Sequence, residues 1–177
     1  MKQEFYYQQM NKAQQNAYRA MLDGFESLSP EFPVLRLDGK ELSDIFFRLR
    51  LDHPAIFYVE GFHYRFARNS EYVQMIPEYM FEKKKIKEMK TALESRISRL
   101  VRQAEGMTPE EKEKYVHEFI CSNVTYDKLK KQYSHEIIGP LQQGIGVCEG
   151  IAKTVKILCD RLGLECLIAI SESAPDR

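Results

Sequence analysis

The sequence predicts an α+β fold: a helical N-terminal part, a small antiparallel sheet, and then a helix–strand unit that opens at Cys148. Two observations carry this reading. Apolar residues recur at helical spacing in the N-terminal third, switch to alternation between residues 55 and 80, and return to helical spacing from Ile86 onward. A glycine-punctuated loop, Gly144-Ile145-Gly146-Val147, then runs straight into an amphipathic series ending at Gly163.

Taken in order, Tyr18, Met21, Leu22, Phe25 and Leu28 fall on one face of a helix, which Pro30 and Pro33 stop. After the Asp38-Gly39 turn, Leu42, Ile45, Phe46 and Leu49 mark a second helix. It ends at Asp52-His53-Pro54, because proline disfavours helical backbone in the residue before it. The run Ala55-Ile56-Phe57-Tyr58-Val59 and the alternating segments Phe62–Phe66 and Tyr72–Ile76 read as strands, with Arg68-Asn69-Ser70 as a turn. Ile86, Met89, Leu93, Ile97, Leu100 and Val101 restore the helical period, and Gly106 stops it. Thr108-Pro109-Glu110-Glu111 is a helix start with a capping box, followed by Tyr115, Phe119 and Ile120. Residues 126–138 read as a polar connection, and Leu164–Ser171 as a strand. The expected organisation is an N-terminal helical region with a small sheet over 1–106 and a second unit over 107–177.

Composition excludes several classes. With 177 residues the chain buries a core without staples, and equal numbers of basic and acidic residues (26 each) leave no field to draw in nucleic acid or an anionic membrane. Lys83-Lys84-Lys85 is a solvated helix face among glutamates. No segment approaches the roughly 18 apolar residues of a membrane span, and the N-terminus lacks the apolar core of a signal peptide. The chain as given reads as cytoplasmic, or extracellular where a leader has been removed. Cys121, Cys148, Cys159 and Cys166 form no C-x-x-C pair and have no histidine at ligand spacing. Free thiols are expected, with no metal and no cofactor, and Cys121, Cys159 and Cys166 are assigned to the core.

Cys148 stands apart. The thiolate is the reactive form of cysteine, and the free amides and positive dipole end of a helix start favour it. Glycines at 144, 146 and 150 let the backbone turn and let a substrate approach without a Cβ in the way. Cys148 lies seven residues before Val155, which places it on the inward helix face. The loop is no phosphate cradle, since neither G-x-x-x-x-G-K-[ST] nor a post-strand G-x-G-x-x-G is present.

The segment Gly144-Ile-Gly-Val-Cys-Glu-Gly-Ile-Ala-Lys153, with Leu158-Cys-Asp-Arg-Leu-Gly-Leu-Glu-Cys166 after it, resembles the core motif of the transglutaminase-like superfamily. Asp52-His53-Pro54-Ala55-Ile56-Phe57-Tyr58, His117-Glu118-Phe119-Ile120 and Asn123-Val124-Thr125-Tyr126-Asp127 resemble upstream pieces of its bacterial branch. The resemblance covers roughly residues 50–170. It implies a papain-like core, Cys148 as the nucleophile, and acyl transfer on the amide bonds of a protein or peptide substrate: proteolysis, amidation or transamidation.

The same pattern requires a His and then an Asp on strands after the Cys helix. Here His53, His63, His117 and His135 all precede Cys148, and Asp160 and Asp176 match neither position. The expectation is therefore the N-terminal portion of such an enzyme, cut one or two strands short and inactive as given. The rival expectation is a non-catalytic binding or scaffold module on the same fold. His135, in the approach loop 13 residues before Cys148, is the one candidate base within the sequence. Oligomeric state is not legible.

Overall fold

The computed structural model describes residues 4–170. A one-turn helix α1 (Phe5–Gln8) leads into α2 (Lys12–Glu26), where the Asn11 side chain accepts from the Gln14 amide and closes a capping box. Strand β1 (Phe32–Leu35) follows, then α3 (Gly39–Asp52), capped by Asp38 through the Glu41 amide at 2.8 Å. The hairpin β2 (Val59–Phe66) and β3 (Tyr72–Tyr79) completes an antiparallel sheet of order β1-β3-β2, with Val34 opposite Val73 and Tyr64 opposite Met75. The long α4 (Lys83–Gln103) and α5 (Pro109–Asn123) come next. The Thr108 hydroxyl and Glu111 carboxylate form the reciprocal cap the sequence announces, at 3.3 and 2.8 Å.

The first long helix ends before Pro30 and Pro33, and residues 32–35, which the sequence leaves unassigned, form a strand at the sheet edge, where proline's missing N–H is tolerated. Two sequence expectations are corrected here. The run 55–58 is a turn, and the strand begins only at Val59. Ile56, Phe57 and Tyr58 are apolar because they fill the core, not because they pair in the sheet. Residues 164–170 form no strand. They follow the Schellman-type stop of the last helix, whose Cys159 carbonyl accepts from the Leu164 amide, and the Tyr6 hydroxyl donates to the Ile168 carbonyl. A ladder needs a neighbouring strand, and the described residues supply none beside this segment. Ser171 lies outside the described residues.

One apolar cluster runs through the molecule, from Tyr18, Met21 and Phe25 of α2 through Leu42 and Leu49 of α3 and Ile86, Leu93 and Ile97 of α4 to Leu158 and Leu162. Each such side chain contributes about 1.5–3 kcal/mol by leaving water. Phe25 meets both Phe32 and Phe46 edge-on, at 5.6 and 5.7 Å between ring centroids, which welds β1 and α3 to α2. The charged end of this packing is Asp52. Its carboxylate, buried at the C-terminus of α3, accepts from the Tyr6 and Tyr7 amides and the Tyr18 hydroxyl. Burial pushes its pKa above the ordinary value, the three donors notwithstanding.

Candidate active site

The segment that delivers Cys148 is built from tight, local contacts. A two-rung parallel ladder pairs β4 (Thr125–Tyr126) with β5 (Ile145–Gly146), and Gly144 enters it with φ +66°, a backbone that favours glycine. The connection between these strands is not the polar surface loop that residues 126–138 suggested: Ser134, Glu136, Ile137 and Ile138 are all buried. Asp127 organises it. Its carboxylate accepts from the Leu129 and Lys131 amides and from the Ser134 hydroxyl. That hydroxyl and the Lys131 amide hold the carboxyl below its ordinary pKa. The result is a 3-10 turn, Gln132–His135, followed by a π-turn, Gly139–Gln143.

Helix α6 (Cys148–Leu162) starts and ends where the sequence places it, with Gly163 at its C-terminal cap. Val147 caps the N-terminus without a side-chain hydrogen bond, so the first-turn amides carry no internal acceptor. The Val147 amide donates to the Ser134 carbonyl at 3.0 Å. Gly150 lies so close to the same carbonyl that a Cβ there would sit 2.1 Å from its oxygen. The helix start and the His135 turn are thus packed backbone against backbone.

Cys148 is the first residue of α6 and is exposed, not turned inward. The inward face is instead Gly150, Lys153, Thr154, Ile157 and Leu158, which rotates the first residue out to solvent. Cys121 is also corrected from core to exposed. It lies on the outer face of α5 with its sulfur 3.6 Å from His117 Nε2. Cys159 is buried and Cys166 half-buried, as expected of core thiols.

His135 reaches the helix start but not the sulfur. Its Nδ1 lies 3.2 Å from Glu149 Oε2, and among the described residues no hydrogen bond joins it to Cys148. Burial raises the Glu149 pKa, but Lys153, Arg50 and His135 outweigh it and hold the carboxyl below the ordinary value. Behind Glu149 stands a polar interior that sequence reasoning missed. Lys153, with no exposed surface, donates to Glu149 Oε1 at 2.7 Å, to Glu136 Oε1 at 2.8 Å and to the His135 carbonyl at 3.3 Å. Arg50, from α3, closes the far end by an ion pair with Glu136. Only the Glu149–Lys153 pair, at i,i+4, left a signal in the sequence.

The other histidines lie elsewhere. His53 is buried beside Glu4 and the Tyr18 ring, His63 is exposed and paired with Glu78, and His117 is exposed. A cavity of about 350 Å³ opens between α4, α6 and the turn after α3, lined by Asp52, His53, Phe57, Leu93, Ile157 and Asp160, and Cys148 does not line it. Among the described residues no three His, Cys, Asp or Glu side chains gather as metal ligands, and no helix is long and apolar enough to cross a membrane.

No curated protein matches the chain. Residues 96–175, from mid-α4 through the Cys148 helix, match the family model of the transglutaminase-like superfamily.

Proposed function

We propose that this chain bears the nucleophile of a thiol acyl-transfer reaction, with Cys148 as the nucleophile and a protein or peptide amide as the substrate. The observation that carries the reading is an exposed cysteine at the first position of a 15-residue helix, inside the transglutaminase-like segment. An amide carbonyl approaching from solvent meets the sulfur and the uncapped first-turn amides together. In the reaction the Cys148 thiolate attacks the carbonyl carbon, the C–S bond forms, and the C–N bond breaks as the departing amine takes a proton from water. Water or a second amine then attacks the thioester and releases an acid or a new amide.

A second reading, a binding module on the same fold, draws on the side-chain arrangement: His135 is engaged by Glu149 rather than hydrogen-bonded to Cys148. The two readings differ in one measurement. An activated acyl donor such as a nitrophenyl ester needs no protonated leaving amine, so it acylates a competent thiolate without a paired histidine. Intact-mass analysis is expected to show one acyl group, mapped to Cys148 and absent in Cys148→Ala. Acylation of Cys121 at an equal rate, or none at Cys148, refutes the enzymatic reading. Turnover of an unactivated glutamine-donor peptide by the 177-residue chain is expected to be absent. Turnover lost in both Cys148→Ala and His135→Ala would identify His135 as the base.

A further inference from the structure

We infer that Lys153 is a positioning residue that clamps the Cys148 helix start onto the turn bearing His135. The inference rests on the proposed role of Cys148 only for its functional meaning. Its geometry stands apart from that role.

Lys153 joins the first turn of α6 to the turn at residues 135–136. It hydrogen-bonds Glu149 in the first turn of the helix, Glu136 just after the 3-10 turn, and the carbonyl of His135 itself. Glu149 passes the link on to the His135 ring through its second oxygen. Glu136 passes it to Arg50 of α3, so the clamp is anchored in the body of the fold. The other buried lysine makes a useful contrast. Among the described residues Lys156 hydrogen-bonds Asp160, four residues on in the same helix, rather than a group on another element.

A buried ionic network is a poor device for stability alone, since well-packed apolar side chains of similar volume serve as well or better. What it supplies here is direction. Two of lysine's three donors go to acceptors on the 135–136 turn, which sets the rotation of α6 about its axis. That rotation keeps Cys148 facing solvent while Gly150 lies against the Ser134 carbonyl. Without the clamp, the first turn of α6 loses its hold on the loop and frays, because its amides have no side-chain cap. Cys148 is already exposed, so fraying adds little access to the sulfur. It removes the ordered helix start, with its first-turn amides, at which Cys148 sits.

The test uses the full chain and iodoacetamide, with Cys121 as an internal reference on α5. In Lys153→Met the ratio of Cys148 to Cys121 alkylation rates at neutral pH is expected to fall about two- to fivefold, the size of a helix-terminus effect on a charge, and the His135 ring cross-peaks in an NMR spectrum are expected to move. A folded Lys153→Met that keeps both the ratio and the ring signals overturns the clamp. Where Lys153→Met does not fold, Glu136→Gln carries the test, because it removes the carboxylate that Lys153 and Arg50 share across elements. The same fall in ratio and movement of the ring signals are expected, and their absence overturns the inference. Alkylation is read without turnover. A chain that shows the fall but takes no acyl group at Cys148 therefore refutes the enzymatic reading and leaves the clamp standing; the reverse result removes the clamp alone.

Discussion

Gly150→Ala is the substitution whose effect can be worked most directly from the structure. In a helix interior alanine is favoured over glycine by about 1 kcal/mol, so propensity alone makes this variant more stable. The site says otherwise. The added Cβ would lie 2.1 Å from the Ser134 carbonyl oxygen, 3.1 Å from its carbon and 3.2 Å from the Glu136 carbonyl oxygen. All three neighbours are backbone, held by the Val147 amide, the Asp127–Ser134 bond and the buried Glu136, so none can swing aside as a flexible side chain would. Overpacking of this kind costs about 1–3 kcal/mol, and losing the bond from the Val147 amide to Ser134 adds about 0.5–1.5 kcal/mol. Net destabilisation of about 1–3 kcal/mol is expected, which in a domain of this size lowers Tm by roughly 3–10 °C. Urea denaturation with an unchanged m-value reads it directly. A variant as stable as the parent, or more so, would show that the helix start does not pack against the loop as described.

Two further outcomes follow from the same geometry. Mass-spectrometric mapping of iodoacetamide labelling is expected to rank exposed Cys148 and Cys121 ahead of half-buried Cys166, with Cys159 last; labelling of Cys159 before either exposed thiol contradicts the burial pattern. Stability is expected to decline in acid. The Glu149 and Glu4 carboxyls lie below the ordinary value of 4.5, so the stability they supply is complete above that pH and is lost as pH falls through their folded-state values. Chemical denaturation of Glu149→Gln across pH 3–7 (roughly the span of carboxylate titration) should show lower stability at neutral pH and a shallower acid limb. An acid limb as steep as the parent's removes Glu149 from the account.

What the sequence disclosed was whatever depends on near neighbours. The bounds of α6, the Thr108–Glu111 capping box and the Asp38 cap all follow from residues within one helical turn of each other. What it hid depends on distant partners. Pro33 reads as a breaker until β3, distant in sequence, pairs beside it and leaves it on an edge strand. The apolar run before Val59 reads as a strand because core-filling turns and strands share a composition. Burial of Lys153 is invisible because Glu136 and Arg50, its first and second partners in the network, lie 17 residues away and a further 86 beyond that. Cys148 reads as inward by period and Cys121 as core because cysteine is usually buried, and neither argument says which flank of a helix its neighbours cover.

The two buried lysines of α6 also make the chain its own clock. Amine-reactive reagents acylate the neutral amine form of a lysine that solvent reaches, and Lys153 and Lys156 present almost no surface to solvent. They become visible only while α6 is lifted from the body of the protein, whereas Lys83, Lys84 and Lys85 are open to solvent throughout. The lag between these two groups in a pulse of such a reagent therefore measures how often this helix opens, without denaturant and without any assay of activity. A ligand that settles on the helix start would lengthen that lag before its chemistry is known.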